Sequence, residues 1–258
     1  MSALHNKHMK MGGYKGLVHF VANLYDALFS PLFLVGVLMH KIFWLWIPIV
    51  ALCLQVCIEI MFSKDVLAVM HSENGPHELL QFLVLLFAFC VAVSTLMRVE
   101  VRKNLWLCVW FFIASLCCFY VAAEEVSWGQ HFMQWSTPEY WSHINDQQET
   151  NLHNTSSWLD QKPRLLLEIG VVVGGILIPL LLKFSPSLLP ERFSLIYPSV
   201  CLSVTAGIFL FLKIMDKLEA FDVLVFERGS EVQELYLFYF VLLYLIMLRK
   251  KVFPSPSL

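Results

Sequence analysis

The chain has no Cys-x-x-Cys pair and no cysteine in its polar stretches. Its seven cysteines, Cys53, Cys57, Cys90, Cys108, Cys117, Cys118 and Cys201, all lie inside apolar runs. That placement argues against a disulfide framework or a thiolate zinc site and leaves buried free thiols. No internal repeat is visible. The first 27 residues lack an uninterrupted apolar core followed by a small-residue cleavage site, so no cleavable signal peptide is expected. The apolar runs are continuous rather than alternating, which excludes the strand pattern of a membrane barrel.

What remains is unusually apolar. The chain has 258 residues, 58% of them hydrophobic, and a mean hydropathy of +0.67. Soluble domains are about 45–50% apolar. Several runs of about 18 or more apolar residues therefore predict an all-α, polytopic transmembrane helical bundle.

The chain divides into a basic N-terminal segment, 1–41, and a bundle, 42–258. Residues 17–39 carry His19, Asn23, Asp26 and Pro31, and are expected to form an interfacial or re-entrant helix. Spans are predicted over Ile42–Phe62, Leu79–Met97, Leu105–Ala123, Leu165–Leu182, Ser194–Leu212 and Glu234–Leu248. That makes six spans, or seven if 17–39 cross. Gly174-Gly175 and Pro179 are a candidate break in the fourth span, with no matching break elsewhere in the sequence. With the N-terminus in the cytoplasm, 12 of the 18 Lys and Arg fall on the inner side, as the positive-inside bias requires. Seventeen of the 20 acids then lie on or near the outer side. Acids set topology weakly, so either a solvated acidic surface or a cation-binding or acid–base site accounts for them.

Three acidic segments meet at that outer side: Glu73–Glu78, the polar loop 124–163, and Glu219–Glu234. Carboxylates at membrane depth are costly and usually face a cavity or a partner. Glu59, Glu78, Glu124, Glu125, Glu168, Glu231 and Glu234 all sit near span ends on this side. If the third helix continues, Glu124, Ser127 and His131 share one stripe. Trp128 and Trp135 suit the headgroup level. Thr137-Pro138 reads as an N-cap followed by Pro at the first helical position. A further turn of helix after Asn145-Asp146 would align Asn145, Glu149 and His153, and a Glu and a His four apart can ligate one metal or form an acid–base pair.

These residues define the expected site. Glu124, Glu149 and Ser127 are the candidate catalytic groups, and His153, Glu125 and Glu149 the candidate metal ligands. Gln130, Asn145, Asn151, Asn154, Glu73, Glu78, Glu231 and Glu234 support them. A divalent ion suits the set: Mg, Mn or Ca with oxygen ligands, or Zn with His and Glu. The expected activity is a metal-dependent hydrolase or transferase acting on a membrane lipid or lipid-linked substrate. The alternatives are a non-enzymatic membrane subunit or assembly factor docking a protein partner, and then a cation or small-solute transporter. Nothing points to nucleic acid.

The stretches Glu124-Glu-Val-Ser-Trp-Gly-Gln130 and Asn145…Gln147…Glu149-Thr-Asn-Leu-His-Asn154 resemble a family of bacterial multi-span membrane proteins with no assigned reaction. Glu73-Asn-Gly-Pro-His-Glu78 resembles that family's acidic Glu-Asp-Gly…Glu loop, with Asn74 in place of Asp and His131 where the family has Arg. The likeness covers residues 73–154 well and the C-terminal half weakly. It implies a shared site in these segments and a bacterial inner membrane. Ser127-x-x-x-His131 is also similar to one element of the seven-span alkaline-ceramidase-like zinc hydrolases. Their His-x-x-x-His on the last span is absent, since 232–248 hold no histidine, and the zinc site is not carried over.

Overall fold

The apolar runs form helices wherever proline and loop residues allow. The computed structural model describes residues 40–70, 75–145, 147–219 and 229–253. The expectations placed on 17–39, on Glu73 and on 220–228 lie outside the described residues. The chain is helical: α1 (Ile42–Met61), α2 (Lys64–Met70), α3 (Pro76–Leu96), α4 (Val99–Lys103), α5 (Leu105–Glu125), α6 (Gln130–Met133), α7 (Glu139–Ile144), α8 (157–184), α9 (Ser203–Glu219) and α10 (Gly229–Val252). No strand interrupts them among the described residues. The ends are set locally. Asn104 Oδ1 caps α5 by accepting from Trp106 N and Leu107 N at 3.1 and 3.3 Å. Pro76 opens α3, where its missing N–H is harmless.

Among the described residues, five helices are long and apolar enough to cross a membrane: α1, α3, α5, the Gln161–Phe184 part of α8, and α10. The predicted span Ser194–Leu212 is displaced. Pro198 disfavours helix at the residue before it, and a short 3-10 turn, Val200–Leu202, follows. The helix starts only at Ser203 and runs through Lys213, Asp216 and Lys217, past the predicted end of the span at Leu212. Its 17 residues leave it shorter than the other spans.

The last helix, α10, is the inner pillar. Two-thirds of its span is buried inside the bundle (67%), against a third or less for the others. A helix that is apolar all round belongs in an interior. α3 packs against both α5 and α10, and α9 against α10. Phe209, Tyr236, Leu237, Phe240 and Leu243 form the core between them. Large apolar side chains on the outward faces, such as Leu83, Trp106, Phe112 and Leu166, are exposed, as lipid-facing positions would be.

Two spans share one irregularity. A π turn, Ile42–Trp46, precedes Pro48 in α1, and a π turn, Val173–Leu177, precedes Pro179 in α8. The break at Pro179 therefore has a counterpart, contrary to the sequence reading. In each, the wide turn ends two residues before a proline with no N–H to give. In α1 the carbonyl left bare is that of Phe43, and Tyr239 Oη donates to it at 2.7 Å. Tyr236 Oη likewise reaches Pro48 O at 2.7 Å. In α8 the wide turn brings Gly175 against α9 and α10.

A Cβ on Gly175 would overlap Ala206 Cβ and lie 2.7 Å from Phe240 Cε2, whereas one on Gly207 would meet nothing within 4 Å. Gly175→Ala should therefore destabilise the bundle by about 1–3 kcal/mol through overpacking. Gly207→Ala should leave it unchanged or stabilise it by up to about 1 kcal/mol. Unfolding midpoints of the two variants in detergent check the opposite signs.

Candidate functional site

The loop is built on the end of α5. Val126 leaves the helix, and the next three residues take left-handed backbone, with φ of 45° at Ser127, 57° at Trp128 and 98° at Gly129. Left-handed conformation costs about 1–2 kcal/mol for each L-residue. A run of this kind persists only where surrounding contacts over-determine it. Here the contacts are plain. Glu124 is 3% exposed. Its Oε1 accepts from Trp128 Nε1 at 2.5 Å, and its Oε2 from Leu152 N at 2.7 Å. The Trp128 ring also lies edge-on to Phe119 and Tyr120. One carboxylate thus fixes both the strained turn and the returning strand of the loop.

The return segment docks residue by residue. Thr150 N and Thr150 Oγ1 both donate to Gln130 Oε1 at 2.8 Å, and Thr150 Oγ1 also reaches Ser127 O at 3.1 Å. Gln130 Nε2 donates to Thr137 Oγ1 at 2.8 Å, and that hydroxyl donates to Gln148 O at 2.5 Å. The helix expected over Asn145–His153 does not form. Asn145 Oδ1 instead accepts from Gln147 N and Glu149 N at 2.9 and 3.2 Å, closing a side-chain turn. Its amide donates to Asn151 O and Oδ1. Asn154 Nδ2 donates to Gln147 Oε1. Thr137 does not cap α7: Pro138 occupies the cap position with no side-chain bond, because the Thr137 hydroxyl is used by Gln148 and Gln130.

At the centre of the network is Glu149. Its Oε2 accepts from Ser127 Oγ and, at 2.9 Å, from Asn151 Nδ2. Asn151 Nδ2 also donates to Ser127 Oγ at 2.9 Å. Its Oε1 lies 2.8 Å from His131 Nε2. Ser127, Asn145 and Asn151 are buried, whereas the side chains of His131 and Glu149 keep 10% and 12% exposure. The two groups of this network that solvent or substrate can reach are therefore an imidazole and a carboxylate in contact.

The expected site residues fall into two groups. Glu124, Ser127, Gln130, Asn145, Glu149, Asn151 and Asn154 are brought together in the loop. Ser127 and Glu124 are wholly engaged in holding it. Glu125, one residue on along the helix, belongs elsewhere: its charged neighbours are Glu234, Glu231 and Glu78, with Arg164 as a compensating cation. It was expected to share a metal with Glu149 and His153. Successive helical residues point about 100° apart, which sends Glu124 to the loop and Glu125 to the bundle. Among the described residues no three His, Cys, Asp or Glu side chains gather closely enough to hold a metal ion. The His153 ring lies outside them; its backbone forms a short 3-10 turn, His153–Thr155.

His131 meets Glu149, a contact the sequence reading did not assign. Its signal was present in the spacing from Glu124 and Ser127. Thr137 and Thr150 carried none, because their partners lie 7 to 23 residues away. Outside the loop, Arg164 pairs with Glu234 at 2.6 Å and with Glu168 at 3.4 Å, and Lys213 pairs with Glu168 at 2.7 Å.

A carboxylate accepts two N–H bonds at Glu124, and an amide can accept only through its oxygen. Glu124→Gln should leave either Trp128 Nε1 or Leu152 N without an acceptor, at about 1–3 kcal/mol of local stability. The expected outcome is faster amide exchange and proteolysis within 145–155, with α3, α5 and α10 still protected.

No protein-family model matches the chain, and no curated protein or solved structure is found to be similar to it.

Proposed function

We propose that the protein is a bacterial inner-membrane enzyme, with cytoplasmic termini and the 124–163 segment outside, in which the His131–Glu149 pair performs acid–base hydrolysis or group transfer on a lipid or lipid-linked substrate. The 2.8 Å contact between His131 Nε2 and Glu149 Oε1, on a strained and fully braced backbone, carries this reading. The excess of Lys and Arg on the inner loops supports the orientation.

The chemistry follows from the hydrogen bonds. With Glu149 ionised, Oε2 is satisfied by Ser127 and Asn151, and Oε1 accepts the Nε2 proton of His131. That bond fixes the tautomer and leaves the lone pair on Nδ1, so the imidazole is a general base for water or an alcohol. When it takes a proton, the adjoining carboxylate stabilises the imidazolium. Trp128, Phe132, Met133, Trp135 and Tyr140 are exposed on the same segment, and such side chains suit the headgroup level where the scissile group of a lipid lies. The same exposed apolar set also supports a second reading, in which the loop docks a protein partner without chemistry. The paired π turns before Pro48 and Pro179 are the one feature that favours transport.

Purified protein reconstituted in bacterial lipid extract should release products detectable by mass spectrometry. His131→Ala and Glu149→Gln should each slow release about 10²–10⁴-fold, the usual worth of a general base. Both variants should remain folded and inserted. Full activity in both would defeat the catalytic reading and leave docking, which co-purification of a stoichiometric partner would then test.

The ligand geometry makes a second expectation. Activity should survive exhaustive chelation. Loss on chelation, together with stoichiometric metal that disappears in His153→Ala, would instead put a divalent ion at Glu149.

A further inference from the structure

The first long helix is held loosely. Only 11% of the α1 span is buried inside the bundle. Near its start, Tyr239 and Tyr236 tie it to α10 through the carbonyls of Phe43 and Pro48. Near its other end, a chain of three polar side chains joins α1, α2 and α3. Glu59 Oε1 accepts from Gln55 Nε2 at 2.8 Å, one turn back along α1. Gln55 Oε1 lies 3.1 Å from Nε2 of His77, which sits in the first turn of α3. His77 Nδ1 lies 3.2 Å from the carbonyl oxygen of Met70, the last residue of α2. Gln55 is buried, and His77 and Glu59 are half-buried.

Both ring nitrogens of His77 therefore face oxygen. A carbonyl oxygen only accepts, so the bond to Met70 requires a hydrogen on Nδ1. The Gln55 amide sets the rest. With its oxygen toward the ring, Nε2 also carries a hydrogen, the ring is an imidazolium, and Glu59 is a carboxylate. With the amide turned over, its NH₂ donates to a neutral ring and its oxygen faces Glu59, which must then carry the hydrogen as a carboxylic acid. The two arrangements differ by one amide flip and hold the same number of protons. A neutral ring beside an ionised Glu59 fits neither, because one of the contacts then sets lone pair against lone pair. A further partner on Glu59 or His77 would not alter this count, which follows from the donors and acceptors within the three contacts.

Other charged groups at this end belong to different contacts. Lys64 and Asp65 lie in the first turn of α2, at the opposite end from Met70. Glu78, next to His77 in α3, is a charged neighbour of Glu125, as are Glu231 and Glu234 from α10. Glu124 is engaged by the loop. His71 and Glu73 lie outside the described residues.

We propose that His77, Gln55 and Glu59 hold one proton in common, and that this proton latches α1 and α2 to the first turn of α3. While it is present, all three contacts are hydrogen bonds. When it leaves, the ring gives up either Met70 or Gln55, and one helix is released. The latch does not depend on the acid–base reading of His131 and Glu149. An unfolded chain has lost this proton above about pH 6.5, where free His and Glu are both deprotonated. A folded chain that keeps it is stabilised there, and that stabilisation is lost as the pH rises until the proton leaves.

The test uses the full chain in lipid nanodiscs. At about pH 7, nitrogen spectra of labelled histidine should show a ring protonated at both nitrogens, or infrared spectra should show a protonated carboxyl band. The first signal should vanish in His77→Gln and the second in Glu59→Gln. Unfolding midpoints then separate the latch from other titrations. Glu59→Gln keeps every contact with a neutral ring, since its NH₂ donates to the Gln55 oxygen while the Gln55 NH₂ donates to Nε2. Between about pH 6 and about pH 9 the wild type should therefore lose about 2–4 °C relative to Glu59→Gln. A wild type with neither signal, or signals that survive both substitutions, would overturn the proposal. So would equal pH dependence of the two midpoints, or a difference that persists on a His77→Gln background and disappears on a His71→Gln background.

Discussion

The Glu124 carboxylate is where an apolar bundle and a polar loop become one structure. It lies one residue before the end of a membrane-length helix, and its two oxygens hold groups from both arms of the loop, the Trp128 indole and the Leu152 amide. A buried carboxylate accepts such charge-assisted bonds at short range and with more strength than neutral acceptors. The bundle orients α5, α5 orients Glu124, and Glu124 sets the register of everything from Ser127 to Asn154. The catalytic candidate in this arrangement is not the acid that ends the helix but the one the loop brings back to it.

The left-handed run at Ser127–Gly129 follows from the same constraint. A helix that simply continued would carry Ser127 and His131 away along its axis. The reversed backbone keeps both within reach of Glu149, and the bonds from Thr150, Asn151 and Glu124 offset the strain. Backbone strain concentrated at a turn and braced from several sides is common at functional sites, because it fixes side chains that would otherwise relax. The His131–Glu149 pair is thereby held in place while keeping a small opening to the surface.

The asymmetry between the two ends of the bundle has an equally simple physical basis. At the end bearing Lys183 and Arg249–Lys251, basic side chains find backbone or hydroxyl partners, as Arg249 does with Ser94 and Thr95 and Lys251 with Tyr197 O. At the opposite end acids gather, and the buried Gln81, whose amide donates to Glu231, has its Oε1 without a partner among the described residues. Adjacent residues Glu124 and Glu125 divide between two environments there, one closed by hydrogen bonds within the loop and one lined by further acids and Arg164 in the bundle.

The sequence by itself determined the helical class, most of the span positions and the end at which polar chemistry collects. These follow from uninterrupted apolar length and from where charges are tolerated, which are local properties of the chain. It misplaced the start of α9, because the effect of Pro198 on the residues around it outweighs apolar composition. It named Glu149, Asn145 and Asn151, but drew Asn145 and Glu149 on a helix with His153. Only tertiary structure decided that Glu149 meets Ser127 and His131, that Glu124 is a clamp, and that Glu125 faces a different set of acids. Those outcomes rest on hydrogen bonds between residues some 20 positions apart and on three left-handed backbone angles. No periodicity in the sequence reports either one, since both depend on where the loop lands after the bundle has formed.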